Sequence, residues 1–203
     1  DLTMPLIQYL THINIEFGAR QLLAAECERV GIRKPLIVTD AGVRAAGVLA
    51  MVQDALPAAL QGAVYDGTPP NPTEAAVRAA TAVFNEHGCD GIIAVGGGSS
   101  IDCAKGVAIA ARHPGPLKTY ATIEGGSPKI TDAAVPLIAV PTTSGTGSEV
   151  ARGAIVIVDD GRKLGFHSWH LMPRGAVCDP ELTLGLPPKL TAATGMDAIA
   201  HCM

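Results

Sequence analysis

Aromatic side chains are scarce in this sequence, which has one Trp, three Tyr and three Phe among its 203 residues. Aromatics make up 3% of the chain, whereas apolar residues as a whole make up 48%. A core with so few aromatics must be filled by Ala, Val, Ile and Leu. Those side chains are typical of buried parallel strands and of the small-residue helices that cover them. The composition therefore predicts an α/β fold.

Cysteine motifs, basic runs and long apolar segments are also missing. The five cysteines are odd in number and none forms a CxxC pair, so we expect reduced thiols in a cytoplasmic protein and neither a disulfide framework nor a thiolate zinc site. A net charge of −4 without a basic cluster argues against a nucleic-acid partner. No apolar run approaches the roughly 20 residues of a membrane-spanning helix, and the first residues lack the order of a signal peptide.

Strand and helix patterns alternate along the chain. Buried strands are predicted at residues 35–40, 62–66, 90–95 and 135–140. Helices are predicted at residues 41–56, from the N-cap Thr73 to about 88, at 101–112, and from 191 onward. The alternation favours parallel pairing with right-handed crossovers. Residues 13–18, 154–158 and 163–166 are predicted to form hairpin strands at the margins, and a domain boundary is placed near Leu186.

The run GGGSS at residues 96–100 lies between a predicted strand and a predicted helix. Glycines let a phosphate approach the backbone there, and a helix N-terminus offers unpaired N–H groups with a partial positive charge. The run is neither the GxGxxG fingerprint nor a P-loop. It indicates either a phosphate-binding turn, which the position at a strand end favours, or a Gly-rich turn without a ligand.

Two further polar segments follow predicted strands. Asp40 either accepts the hydroxyls of an adenosine ribose, which would favour NAD over NADP, or caps the helix that follows it. The loop PTTSGTGSE at residues 141–149 places the hydroxyls of Thr142, Thr143 and Ser144 after a buried strand. Such donors suit an oxyanion or a nicotinamide amide, although a solvated surface loop has a similar composition.

Asp197 and His201 are four residues apart near the end of the sequence. On a helix this spacing puts both side chains on one face, where a carboxylate and an imidazole can bind one divalent cation. The alternative is an N-cap aspartate followed by an ordinary histidine on the helix surface.

Two other pairs have simpler interpretations. Asp102 and Lys105 are three apart on a predicted helix, a spacing that favours an intrahelical ion pair. His167 and His170 are typical of polar loop residues more than of metal ligands.

Taken together, these segments resemble the iron-containing (group III, metal-dependent) alcohol dehydrogenases. The matches occur in the order in which that family has them and cover almost the whole chain. The matching segments are residues 39–40 (TD), 71–73 (NPT), 96–105 (GGGSSIDCAK), 141–149 (PTTSGTGSE), 179–180 (DP) and 195–201 (GMDAIAH).

The resemblance implies a Rossmann-like dinucleotide-binding domain at residues 1–186, followed by an all-helical metal-binding domain whose first helix is residues 187–203. It implies cofactor contacts along the cleft between the two. These contacts are Asp40, Asn71, Gly97, Gly98, Ser99, Asp102, Thr142, Thr143 and Ser144. It also implies that Lys163 is a catalytic candidate in the hairpin and that Asp197 and His201 are metal ligands. The family takes two further histidine ligands from the helical domain, so we expect these 203 residues to be the N-terminal portion of a longer protein.

The function implied by the resemblance is the NAD-linked interconversion of alcohols with aldehydes or ketones, using Fe(II) or alternatively Zn(II), in a homodimer. The 203 residues alone are expected to be inactive. Two other functions are compatible with the residues: a non-catalytic NAD-binding fragment, and an NAD- and metal-dependent lyase similar to dehydroquinate synthase.

Overall fold

The computed structural model describes residues 11–203 and shows an α/β fold on a six-stranded parallel sheet, which confirms the predicted class. The strands are β1 (His12–Ile15), β2 (Pro35–Val38), β3 (Ala63–Tyr65), β4 (Gly91–Gly96), β5 (Leu137–Pro141), β6 (Gly153–Ile157), β7 (Lys163–His167) and β8 (Gly175–Cys178). The sheet order is β1-β8-β5-β4-β2-β3, and β6 and β7 form a separate antiparallel pair.

In the described part of the chain, six α-helices connect or follow these strands. They are α1 (Leu23–Val30), α2 (Ala41–Ala45), α3 (Val48–Asp54), α4 (Glu74–Glu86), α5 (Gly98–Ala110) and α6 (Pro188–Cys202). Short 3-10 helices lie at Ala19–Leu22, Ala58–Leu60, Leu117–Tyr120, Thr122–Glu124, Ser127–Lys129, Trp169–Leu171 and Pro180–Thr183. Within residues 11–203, no helix has both the length and the apolar character needed to cross a bilayer.

The central strands are buried on both faces, and their side chains alternate between two cores. In β4, Ile92 and Ala94 pack with residues of α4 and α5. Ile93 and Val95 point to the other face and pack with residues of α1 and α3. This alternation follows from the two-residue period of a strand, and it explains why the strand is continuously apolar.

Glycines account for two differences from the predicted helices. The single helix predicted at residues 41–56 is two helices, because Gly47 has a φ of 76° and breaks the helical backbone between α2 and α3. The helix predicted to begin at Ile101 begins three residues earlier, at Gly98. Gly96 is therefore the last residue of β4, Gly97 alone forms the turn, and the last three residues of the GGGSS run are the first turn of α5.

The margins of the sheet differ more from the prediction. Residues 13–18 were predicted as part of a hairpin, but His12–Ile15 forms an edge strand parallel to β8. The four-residue strand β8 was not predicted, since its short GAVC sequence carries no strong strand pattern. The hairpin of β6 and β7 is confirmed, with Gly153 opposite His167 and Ile157 opposite Lys163.

The connections change direction between β2 and β4, which are neighbours in the sheet. From β2 the chain moves outward to β3, whereas from β4 it moves the other way to β5 and β8. In open α/β sheets, ligands bind beyond the carboxyl ends of the strands at such a switch point. Asp40, Gly97 and Thr142 follow the carboxyl ends of β2, β4 and β5, so the fold brings them to one edge.

Candidate functional site

A cleft of about 1260 Å³ lies at this edge of the sheet. The site residues expected from the sequence line it with a single exception. The lining includes Asp40, Asn71, Gly97, Gly98, Ser99, Asp102, Thr142, Thr143, Lys163, Asp197 and His201. Ser144 is exposed and does not belong to the lining. Segments separated by more than 150 residues in sequence therefore meet in one cavity.

The N-terminus of α5 is open toward the cleft. Gly97 is the N-cap residue, with φ −79° and ψ −170°, and it has no side chain to accept the first N–H groups of the helix. A Cβ on Gly98 would lie 2.8 Å from Cγ2 of Thr146, and one on Gly97 would lie 3.2 Å from Oγ1 of Thr143. The glycines therefore keep the backbone accessible in a narrow space, an arrangement that fits a phosphate group.

Asp40 caps α2, as one of its two interpretations predicted. Its Oδ1 accepts a hydrogen bond from the backbone N–H of Val43 at 2.9 Å, and its Oδ2 accepts one from the Ser100 hydroxyl at 2.9 Å. The second contact requires Gly96, whose φ is 150° and where a Cβ would lie 2.5 Å from the Ser100 oxygen. Each carboxylate oxygen can accept a further hydrogen bond, so capping leaves Asp40 able to bind hydroxyl groups in the cleft.

A hydrogen-bonded chain joins three of the candidate residues across the cleft. The Lys163 ammonium donates to Oδ1 of Asn71 at 2.8 Å, and the Asn71 backbone N–H donates to the Ser99 hydroxyl at 3.3 Å. Asn71 has a φ of 59°, a left-handed conformation that asparagine tolerates better than most residues. The chain links the hairpin, the loop before α4 and the first turn of α5.

The loop of residues 141–149, called the threonine-rich loop below, lies between α5 and α6. On one side it contacts the first turn of α5 through Thr143 and Thr146. On the other side, a Cβ on Gly145 would lie 2.8 Å from the backbone oxygen of Thr194 in α6. This close approach requires glycine, and it places α6 against the same cleft.

Asp197 and His201 lie one turn apart on α6 and both face the cleft. The imidazole Nδ1 is 2.9 Å from the backbone oxygen of Asp197, and because a carbonyl only accepts, Nδ1 must donate. In the neutral ring the lone pair is then on Nε2, the geometry in which histidine binds metals. The side chains are 43% and 61% exposed. The two donors suit a divalent cation, and no group of three His, Cys, Asp or Glu side chains forms a metal site among residues 11–203.

The predicted ion pair between Asp102 and Lys105 is wrong. Lys105 is fully buried, and its ammonium donates to the backbone oxygens of Ser148, Ala151 and Gly153 at 2.8, 2.8 and 2.7 Å. The Asp102 carboxylate instead accepts hydrogen bonds from the Ile155 N–H and the Ser148 hydroxyl, which belong to the same segment of backbone. These partners come from residues more than 40 positions away, which the local spacing did not reveal.

Burial shifts both groups toward their neutral forms. Desolvation lowers the pKa of Lys105 to about 8, although the charges of Asp102 and Glu149 act in the opposite direction. Burial likewise raises the pKa of Asp102, against the opposing effect of Lys105 and the hydrogen bonds that it accepts.

Sequence reasoning missed several apolar residues of the cleft, among them Ile155, Leu186 and Leu190. Ile155 is 46% exposed on β6 and Leu190 is 45% exposed on α6. An exposed large apolar residue beside polar candidates is the signal that a binding surface gives. That signal is visible only when exposure is known. His167, assigned to a polar loop, also lines the cleft, and its Nδ1 is 2.9 Å from the Thr122 hydroxyl.

Comparison with known proteins gives a family match over most of the chain. The model of the family described as iron-containing alcohol dehydrogenase matches residues 11–180. A 4-hydroxybutyrate dehydrogenase of Cupriavidus necator is 72% identical over 200 residues, which are 98% of this chain and 52% of the relative. A 1,3-propanediol dehydrogenase of Klebsiella pneumoniae is 40% identical over 197 residues, 94% of this chain and 50% of the relative.

Solved structures show the same fold. A sulfoacetaldehyde reductase from Bifidobacterium kashiwanohense in complex with NAD+ superposes with a TM-score of 0.85 at 31% identity, covering 96% of this chain and 51% of that one. An NADH-dependent butanol dehydrogenase from Thermotoga maritima gives a TM-score of 0.88 at 29% identity, covering 98% and 50%. The chain spans about half the length of the relatives that it matches.

Proposed function

Since the chain belongs to the iron-containing alcohol dehydrogenase family, we propose that it forms the cofactor-binding half of an oxidoreductase that interconverts alcohols with aldehydes or ketones, using NAD and a divalent metal ion. One observation carries the proposal: the open N-terminus of α5 and the Asp197–His201 pair line the same cleft. This arrangement supports the proposal because it would put a dinucleotide and a metal ion next to each other. Neither a Gly-rich turn nor a helical Asp–His pair, taken alone, predicts that the two lie in one cleft.

In this proposal, the N–H groups of the first turn of α5 bind the pyrophosphate, because they lack partners within the helix. Asp40 accepts hydrogen bonds from the adenosine ribose, and the Thr142 and Thr143 hydroxyls lie on the β5 side of the same edge. Lys163, held by Asn71, contributes a positive charge to the cleft wall. NAD supplies the hydride-accepting chemistry when it is bound.

The metal ion would be held by Oδ of Asp197 and Nε2 of His201, together with ligands from outside residues 11–203. A divalent cation supplies a Lewis acid that polarises the substrate oxygen. The bond from Nδ1 of His201 to the Asp197 carbonyl fixes the ring so that Nε2 points away from its own helix. The residues therefore fit Fe(II) or Zn(II), both of which accept nitrogen and carboxylate ligands.

We further propose a short primary alcohol with a second polar group as substrate, with 4-hydroxybutyrate as the first compound to test. The support is the 72% identity to a 4-hydroxybutyrate dehydrogenase, and 1,3-propanediol dehydrogenases at 40% and 41% identity point to the same class.

The test of the proposed function is NADH formation by the full-length protein, meaning the natural gene product that contains these residues. We expect activity with 4-hydroxybutyrate to disappear after anaerobic chelation and to return with added Fe(II) or Zn(II). Methanol and 1,3-propanediol serve as comparison substrates. NADH binding without turnover under any metal condition would instead select a non-catalytic cofactor-binding protein or a lyase.

Two substitutions separate the proposed role of Asp40 in cofactor selection from its role as a helix cap. Asp40→Ser keeps an oxygen that can cap α2 but removes the charge, whereas Asp40→Gly removes both. We expect both variants to improve the ratio of NADP to NAD efficiency by about tenfold or more, because the repulsion of a 2′-phosphate is lost. Steady-state kinetics with each cofactor measure the ratio. An unchanged ratio in both variants would leave Asp40 as a helix cap only.

A further inference from the structure

Lys105 and Asp102, one turn apart on α5, together fix a single segment of backbone. Lys105 donates to the carbonyls of Ser148, Ala151 and Gly153. Asp102 accepts from the Ile155 N–H at 3.0 Å and contacts the Ser148 hydroxyl at 3.4 Å. Residues 148–155, the clamped segment, run from the end of the threonine-rich loop into β6.

The clamped segment forms a wall of the cleft. Ser148, Ala151, Gly153 and Ile155 all line it, as does Asp102. The same helix that holds this wall also presents its N-terminus to the cleft. A displacement of residues 148–155 relative to α5 would therefore change the width of the space beside the glycine turn.

Among residues 11–203, the Lys105 side chain makes no other hydrogen bond. It is 0% exposed and does not itself line the cleft. An ammonium has three N–H donors, and the three backbone carbonyls use all of them. Burying a charge is costly unless it is hydrogen-bonded in this way.

We propose that Lys105 is a positioning residue for the cofactor cleft, holding residues 148–155 at the distance from the first turn of α5 that a bound dinucleotide needs. Its effect on cofactor binding rests on the proposed function, whereas its hold on residues 148–155 does not. The side chain acts through the backbone of this segment and does not contact the cofactor.

The experiment compares Lys105→Met with the wild type in the full-length protein. Methionine keeps most of the buried volume but cannot donate to the three carbonyls. By hydrogen exchange, we expect the amides of residues 148–155 to exchange about tenfold faster or more, with those of β2 and β4 unchanged. By NADH fluorescence, we expect the Kd to rise about tenfold or more, since small misplacements of a binding wall have large effects.

Arg29→Met is the matched control. Arg29 also makes three hydrogen bonds, two to Glu26 and one to the carbonyl of Arg174, but these lie near the amino end of β8, away from the cleft. The Arg29 side chain is 42% exposed, so losing these bonds is expected to lower the Tm only slightly and to leave the NADH Kd and the exchange of residues 148–155 unchanged. Kinetics should show the Lys105→Met effect mainly in the KM for NAD and less in kcat.

Three results would overturn the proposal. They are unchanged exchange at residues 148–155, faster exchange with an NADH Kd within twofold of wild type, and an equal rise in Kd for Arg29→Met. If Lys105→Met does not fold, Lys105→Arg provides the same readouts, because a planar guanidinium cannot direct three N–H groups at these carbonyls as an ammonium does. If the wild type binds no NADH, the proposed function fails, and the exchange data alone decide whether Lys105 holds the segment.

Discussion

Replacing Asp197 with alanine is expected to lower kcat for alcohol oxidation by about 1,000-fold or more in the full-length protein, because several kcal/mol of Lewis-acid stabilisation are lost with the metal. The NADH Kd should stay within about twofold of wild type, since Asp197 lies on α6 and the first turn of α5 is untouched. Metal content of the purified protein, NADH titration and steady-state kinetics measure the three quantities.

Met196→Ala is the control for this variant. Met196 precedes Asp197 on the same helix and is 63% exposed, so its removal tests whether any change in α6 lowers the expected turnover. We expect metal content and kcat close to wild type. His201→Ala should reproduce the loss seen for Asp197→Ala, because both side chains are assigned to one cation. Turnover of Asp197→Ala within tenfold of wild type would contradict the metal role.

Replacing Asp179 with alanine is expected to lower the free energy of unfolding by about 3–5 kcal/mol, the cost of removing one partner from a buried ion pair. The Asp179 side chain is 0% exposed and bonds to the Arg20 guanidinium at 2.6 Å. It also accepts from the backbone N–H groups of Gly18, Arg20 and Glu181. Alanine would leave the three backbone N–H groups without this acceptor and the Arg20 guanidinium with Glu181 as its remaining partner. Chemical denaturation measures the change.

The pH dependence of stability provides an independent readout for Asp179. Burial alone would raise its pKa, but the bonds from Arg20 and the backbone N–H groups outweigh burial and lower it. A carboxyl with a lowered pKa contributes stability above its unfolded pKa, and the contribution is lost as the pH falls through the folded value. Asp179→Asn should therefore weaken the fall in stability below about pH 4.

Glu181→Gln is the comparison for Asp179. Glu181 also pairs with Arg20, but its side chain is 37% exposed. An exposed pair contributes less than about 1 kcal/mol, so this variant should lose little stability. A similar loss in both variants would mean that the partners of Arg20 are equivalent and that burial does not decide the effect.

The predicted strands illustrate what a single sequence can establish. The apolar runs at β2, β4 and β5 are buried on both faces, so their sequence has no polar positions and is recognisable locally. β1 and β8 are at the edge or next to it and have only four residues each. Their pairing depends on contacts with residues far away in the chain, and the prediction failed there.

In the candidate site, too, contacts between neighbours in sequence were predicted, whereas contacts between distant residues were not. Thr73 was predicted as an N-cap and accepts from the Ala76 N–H at 3.2 Å, a contact between residues three apart. The partners of Lys105 lie 43 to 48 positions away, and the prediction of an Asp102 pair failed because spacing on the helix was the only information available. Ser144 was grouped with Thr142 and Thr143, yet only the latter two line the cleft.

The sequence by itself determined the α/β class, the central strands, the glycine turn and the identity of most polar residues that meet in the cleft. The class and the central strands follow from local composition and apolar runs, and the glycine turn follows from a motif at a strand end. Several of the polar residues, among them Asn71, Asp102 and Lys163, were identified through the family resemblance. The tertiary structure alone decided the pairing of β1 with β8 and the clamp on residues 148–155. The physical reason is that hydrogen bonds and burial between distant segments depend on where the whole chain places them, which no local pattern encodes.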